Sequence, residues 1–283
     1  MNVITEKASF NVKIITLQYS AIYKNIEATM LLVDKMLEPY SESDNIDIVM
    51  LPELSFSGCL FYSSEESQKY GEIKGKGLIY QWCAKQAQRL KSLIIIGYIE
   101  NEDKNCYNSM LIVDENGCII KNYRKNQQFY SELKWALSGK CFEYVDAFLH
   151  RHQRSFRFGL GICQDIWFQY GNQYIDMRWA QFCEDNDVDS ILFMTNWPDW
   201  EVFKSEEVIT QTALTVWLNR MIPITASQKK DKNVYLVIAS RTGVECGYGY
   251  VGSSAYFQLK PNISIEGHLE FDEQAVQECI LKL

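Results

Sequence analysis

Three stretches set the terms for this chain: "IDIVMLPE" (46–53), "LIIIGYI" (93–99) and "RFGLGIC" (157–163). Each is a short, nearly unbroken apolar run. A strand with one wet face alternates apolar and polar side chains, whereas a strand buried on both faces does not. Such runs fit a sheet that is covered on both sides, and the segments between them can supply the cover. In "NIEATMLLVDKML" (25–37), Ile26, Met30, Val33 and Leu37 fall on one helical face, and "LIYQWCAKQAQRL" (78–90) reads as a second helix. "NSMLIVDENGCIIKNY" (108–123) reads as two strands joined by Asp114-Glu115-Asn116-Gly117, a hairpin signal. Further strands are expected at 12–19, 156–162, 189–194, 234–240 and 250–259, with a short one at 222–226. Helices are expected over 173–186 and 205–219. No repeat, low-complexity segment or linker interrupts this order. The prediction is a layered α/β sandwich forming one domain over residues 1–283.

Composition narrows the function classes. At 283 residues, 47% hydrophobic and 23% charged, the chain can bury a sizeable core. A formal net charge of -8 argues against nucleic acid and against an anionic membrane surface as partners. No apolar run reaches membrane-spanning length, and "MNVITEKASF" does not read as a secretory signal. The nine cysteines are odd in number, contain no C-x-x-C pair and sit mostly among apolar residues. They read as core thiols of a reducing compartment rather than as disulfides or a zinc site. The expectation is a cytoplasmic protein without a metal or cofactor.

The chemistry collects where strands end. "IDIVMLPE" ends on Glu53, "RFGLGIC" ends on Cys163, and Lys125 follows the second hairpin strand. An acid, an amine and a thiol are complementary. A thiol is mostly protonated at neutral pH and reacts as the thiolate. A carboxylate can take its proton, and a cation can steady both the thiolate and the oxyanion formed when sulfur attacks a carbonyl. The carboxylate can then return the proton to a leaving amine and activate water. Together these groups can hydrolyse an amide or nitrile through a thioester.

Leu-Pro-Glu at 51–53, Tyr-Arg-Lys at 123–125, Gly-Ile-Cys-Gln-Asp at 161–165, "SRTGVE" (240–245) and "YVGSSAYF" (250–257) resemble, in the same order, the motifs of the nitrilase superfamily of carbon–nitrogen hydrolases. The resemblance runs from about residue 12 to about residue 260. It implies a four-layer α-β-β-α sandwich and a Glu-Lys-Cys triad. Glu53 would be general base and acid, Lys125 would hold the tetrahedral intermediate, and Cys163 would be the nucleophile. Glu132 resembles a second glutamate that supports the triad, and the Gln164 N–H would complete the oxyanion hole. Family members often pair as homodimers, although the sequence carries no interface signature.

The departures point to a branch. Gln127 stands where many members have His, and Trp167 stands where Arg is usual. "WAQFCEDNDVDSILFMTNWP" (179–198) and Arg-Thr-Gly at 241–243 are similar to the protein N-terminal amidase branch. That branch converts N-terminal Asn or Gln to Asp or Glu with release of ammonia, feeding an N-end degradation pathway. The substrate would be a peptide or protein N-terminus. Asn196 and Trp197 are pocket candidates, and Asp165 or Asp199 would anchor the substrate α-ammonium. The rivals are a small-metabolite amidase of the ω-amide kind and a catalytically silent binding member. A papain-like pairing of Cys163 with His150 or His152 in "LHRHQR" is disfavoured by the polar, turn-like setting of those histidines.

Overall fold

The apolar runs become the middle strands of two sheets. The computed structural model describes residues 10–168, 173–199, 206–229 and 232–283. The first half of the chain runs β1 (Asn11–Gln18), α1 (Ile26–Leu37), β2 (Ile48–Met50), α2 (Ser64–Ser67), α3 (Leu78–Leu90), β3 (Leu93–Glu102), β4 (Asn105–Val113) and β5 (Ile119–Arg124). The second continues with β6 (Tyr144–Leu149), β7 (Arg154–Ile162), α4 (Arg178–Asp185), β8 (Ser190–Thr195), α5 (Glu206–Asn219) and α6 (Ile222–Thr225). It closes with β9 (Val234–Ser240), the two-residue strands β10 (Val244–Glu245) and β11 (Tyr248–Gly249), then β12 (Ala255–Lys260), β13 (Ser264–His268) and β14 (Ala275–Lys282).

The strand orders are β14-β1-β2-β3-β4-β5 and β13-β12-β9-β8-β7-β6. In each sheet three neighbouring strands are parallel, β1-β2-β3 and β7-β8-β9, and the outer strands run antiparallel. The inner faces share one core. Ile14, Met50, Ile95 and Met110 of the first sheet meet Phe158, Leu160, Met194 and Val237 of the second. The outer face of the first sheet packs Val49, Ile94 and Leu111 against Val33 and Leu37 of α1 and Cys83 and Ala87 of α3. The other outer face packs Ile191, Phe193 and Leu236 against Trp179 of α4, Trp217 of α5 and Ile224 of α6. This is the predicted four-layer α-β-β-α sandwich.

Several boundaries differ from the sequence reading. Residues 222–226, expected as a strand, form the short helix α6. Pro223 lies in its first turn, where a missing N–H costs nothing, and the Met221 carbonyl accepts from the amides of Ile224 and Thr225. The helix expected over 173–186 begins only at Arg178, and the first residue of that expected over 205–219 lies outside the described residues. The strand expected over 250–259 begins at Ala255. The core does not finish there. β14 pairs antiparallel with the whole of β1, from Asn11 opposite Lys282 to Gln18 opposite Ala275. No helix among the described residues is long and apolar enough to cross a membrane.

Candidate active site

Parallel strands deliver the functional groups to one end of the sandwich. Beyond β2 the chain turns sharply at Glu53, and Leu54 takes a left-handed φ of 45°. The turn lies directly on β3, and only a glycine there allows it. A Cβ on Gly97 would sit 2.7 Å from the Glu53 Cα and 2.6 Å from the Leu54 nitrogen. The Ser55 N–H donates to the Gly97 carbonyl at 2.8 Å. β5 delivers Lys125, whose N–H donates to the Asn108 carbonyl at 2.9 Å. β7 delivers Cys163, which opens a 3-10 turn over Cys163–Ile166 with a φ of 43°. A non-glycine residue held there is strained, and such strain concentrates at functional positions.

The acid and amine meet in a closed cluster. Glu53, Lys125 and Glu132 are all buried. The Lys125 Nζ lies 2.8 Å from Glu53 Oε1 and 2.8 Å from Glu132 Oε1. Asn108 Nδ2 donates to the same two oxygens, at 2.6 and 2.5 Å. Glu53 Oε2 accepts the Asn196 N–H at 2.7 Å, and Glu132 Oε2 accepts the Phe129 N–H at 2.6 Å. Burial alone would push the lysine toward neutrality. The charges of Glu132 and Glu53 outweigh it and hold the ammonium pKa well above its usual range. Burial also lifts the Glu132 carboxyl, with Lys125 pulling it back.

Cys163 is buried beside this cluster. Burial and the Glu53 charge raise its thiol pKa well above the ordinary range, while Lys125 and the Thr195 hydroxyl pull the other way. The resting group is therefore a thiol, next to a carboxylate that can take its proton and a cation that can hold a developing oxyanion.

Asp165 departs from the expectation that it anchors a substrate ammonium. Its carboxylate is fully buried and takes four donors: the Tyr123 hydroxyl at 2.7 Å and the N–H groups of Gln127, Ile162 and Asn126 at 2.8, 2.9 and 3.0 Å. Burial pushes its pKa up to about 6, against the pull of the Gln127 amide and Tyr123. It ties the segment after Lys125 to the turn that holds Cys163. Asp165→Asn keeps the volume but turns one acceptor into a donor facing donors. It is expected to cost about 2 kcal/mol or more, read as a lower urea midpoint at neutral pH. An unchanged midpoint would remove this role.

The other expected residues lie around the same strand ends. Gln164 and Asn196 are buried next to Cys163 and Thr195, and both side-chain polar atoms of Asn196 lack a hydrogen-bond partner among the described residues. Half-buried Trp197 meets Trp167 edge to face, with ring centroids 5.7 Å apart. Asp199 follows, its N–H donating to the Gly249 carbonyl at 2.8 Å. Gln127 donates its backbone N–H to Asp165 and its side-chain amide to the Trp167 carbonyl at 3.3 Å. The histidines do not join them. His150 pairs with Glu115 at 2.7 Å and His152 with Asp47 at 3.1 Å, in the turn that precedes β7. Cys163 follows the far end of that nine-residue strand, roughly 30 Å along the chain. Among the described residues no group of three or more His, Cys, Asp or Glu side chains could hold a metal ion.

Asn108 went unread in the sequence, though it joins both carboxylates. Its one signal is a polar residue on an otherwise buried strand.

Comparison with known proteins agrees with the architecture. The carbon–nitrogen hydrolase profile matches residues 13–268. The chain belongs to the carbon–nitrogen hydrolase family. Among curated relatives, the protein N-terminal amidase of Saccharomyces cerevisiae is 23% identical over 209 residues, covering 68% of this chain and 46% of that protein. A probable nitrilase of Schizosaccharomyces pombe is 25% identical over 193 residues, covering 65% of each. The chain thus spans less than two thirds of either relative. A crystal structure of N-terminal amidase with an Asn-Glu-Ala peptide has the same fold, with a TM-score of 0.82 at 16% identity over 97% of this chain and 98% of that one.

Proposed function

We propose that this carbon–nitrogen hydrolase family member is a cysteine amidohydrolase that deamidates N-terminal Asn or Gln of peptides or proteins. The observation that carries the chemistry is the Lys125 ammonium held between two buried carboxylates, close enough to Cys163 that all three charges act on its thiol. The kinship with an N-terminal amidase supports the substrate.

In this reading Cys163 Sγ attacks the carboxamide carbon while Glu53 takes the thiol proton. The oxyanion is steadied by Lys125 Nζ and the Gln164 N–H. The C–N bond breaks, Glu53 passes its proton to the nitrogen, and ammonia leaves a thioester. Water attacks the thioester, Glu53 accepts the water's proton, and the C–S bond breaks. Glu53 returns that proton to sulfur, and the carboxylic acid product gives up its own hydroxyl proton to solvent as it ionises to the carboxylate. Glu132 keeps Lys125 charged and in place. Asn196, whose side-chain donor and acceptor are unused among the described residues, would read the substrate amide, and Trp167 and Trp197 would wall the pocket. With Asp165 enclosed, Asp199 is left as the anchor for the α-ammonium.

A small ω-amide would need a cation for its carboxylate. Arg220, beneath Trp167, instead spends its guanidinium on the carbonyls of Ile166, Tyr174 and Asp176. The test is ammonia release by purified protein from peptides starting with Asn or Gln, their N-acetylated forms, and free glutamine, with Cys163→Ala as control. Release from free N-termini alone, absent in the variant, is the expected result. Release from free glutamine alone would make it a metabolite amidase. Failure on every amide would favour a binding member.

A further inference from the structure

We propose that the buried Arg241–Glu245 pair is a positioning device for Glu53: its carboxylate grips the segment just beyond the Glu53 turn, and its guanidinium anchors Arg241, whose backbone braces the strand end that holds the second Glu53 oxygen. The inference rests on the reading of Glu53 as the proton carrier.

Both residues are almost inaccessible, 1% and 2% exposed, and Arg241 Nη1 lies 2.5 Å from Glu245 Oε2. Taking two charges out of water is costly and their mutual attraction often does no more than repay it, so such a pair is a poor way to add stability and can serve to fix geometry. The contacts show what is fixed. Glu245 Oε1 accepts the backbone N–H groups of Leu60 at 2.8 Å and Cys59 at 3.0 Å, 185 and 186 positions away in sequence and both just beyond the turn over residues 53–57 that begins at Glu53. The carboxylate is seated against Gly58, left-handed at φ 79°, where a Cβ would stand 2.5 Å from Glu245 Oε2.

Arg241 works on the opposite side. Its backbone N–H donates to the Thr195 carbonyl at 3.1 Å. The next residue, Asn196, gives the N–H that holds Glu53 Oε2. Its Nη2 donates to the Ala21 carbonyl at 3.3 Å, and its guanidinium lies 4.5 Å from the Tyr250 ring centroid. The Tyr250 hydroxyl in turn lies 2.7 Å from Cys59 Sγ. The Glu245 carboxylate therefore grips the chain after Glu53, while Arg241, its guanidinium anchored in the pair, holds through its own backbone N–H the chain before the amide that orients Glu53.

The deciding measurement needs no substrate. The charge of Glu53 raises the Cys163 thiol pKa, so the pH profile of Cys163 alkylation by iodoacetamide, followed by mass on the Cys163 peptide, reports where that carboxylate sits. Glu245→Gln is expected to move the midpoint toward that of Glu53→Gln, downward by about half a pH unit or more, about threefold in rate at fixed pH. On a substrate peptide kcat should fall about 10- to 100-fold with KM nearly unchanged, the cost of a misplacement on the order of 1 Å. Glu245→Asp, which keeps the pair but withdraws the carboxylate from the two amides, should fall between and covers the case in which Glu245→Gln folds poorly. Val33→Ala, a core truncation in α1, serves as the control for simple loss of stability. A midpoint unmoved in both Glu245 variants, or a change matched by Val33→Ala at equal Tm, would overturn the proposal. If Glu53→Gln itself leaves hydrolysis intact, the reading of Glu53 fails. If Glu53→Gln is inactive and Glu245→Gln is not, the positioning role alone fails.

Discussion

Glu53→Gln is expected to split two reactions of the same sulfur: amide hydrolysis falls by about 10²- to 10⁴-fold, the range for a lost general acid–base, while alkylation of Cys163 becomes faster at fixed pH. The first effect follows because a carboxamide cannot take the thiol proton or return it to the leaving nitrogen. The second follows from charge. The Glu53 carboxylate disfavours a thiolate beside it, and Lys125 favours one. Removing the stronger of the two anions leaves Lys125 opposed only by Glu132, whose effect on the thiol is smaller. The substitution is nearly isosteric. Its oxygen can still accept from Lys125 and Asn108, but its NH2 would face the Asn196 N–H that Glu53 Oε2 now accepts, so a local shift is part of the result. The paired measurement, ammonia release and iodoacetamide labelling on one preparation, separates this account from unfolding, which would expose all nine cysteines together. Slower or unchanged labelling of Cys163 alone would contradict it.

What the sequence made legible is what strand ends make legible. Glu53 and Cys163 each close an apolar run, and in parallel sheets the carboxyl ends of strands gather on one side. Lys125 follows a hairpin whose turn was explicit in Asp114 to Gly117, and the structure closes it with the Gly117 N–H on the Asp114 carbonyl at 2.8 Å. Partners supplied by distant segments stayed hidden. Asn108 meets Glu53 across 55 positions, and Glu245 meets Leu60 across 185. No local pattern encodes either. β14 was missed for a different reason. Its "AVQECILK" alternates buried and exposed positions, with Glu278 and Lys282 breaking the apolar run, the pattern of an antiparallel strand with one wet face rather than of the doubly buried runs that guided the reading. α6 failed because a short apolar stretch reads equally as strand or helix. The surroundings of Asp165 could not be seen at all. A carboxylate two residues from a nucleophile looks like a ligand group until its four donors are known.

Lys125→Met should damage stability and catalysis together, and pH should tell the two apart. In the native site one ammonium separates two carboxylates that already share the Asn108 amide. Removing it leaves Glu53 and Glu132 facing each other in a buried site, a loss of about 3–5 kcal/mol for breaking a buried ion pair from one side. With like charges adjacent and no cation, at least one carboxyl must have a folded pKa raised above its unfolded value of about 4.3. A raised acid binds its proton more tightly when folded. Its stabilising contribution is present at low pH and is lost as pH rises through the folded value. The stability gap between Lys125→Met and the parent should therefore widen from pH 5 to pH 8 in urea unfolding, and a gap that narrows or stays level would sink this account. Adding Glu132→Gln removes one of the opposed charges and should recover much of the stability. It should not recover hydrolysis, because the missing cation is also the group proposed to hold the oxyanion, a contribution of about 10²- to 10³-fold for a single donor. Recovery of both in the double variant would reduce Lys125 to a counterion and leave the oxyanion to the backbone alone.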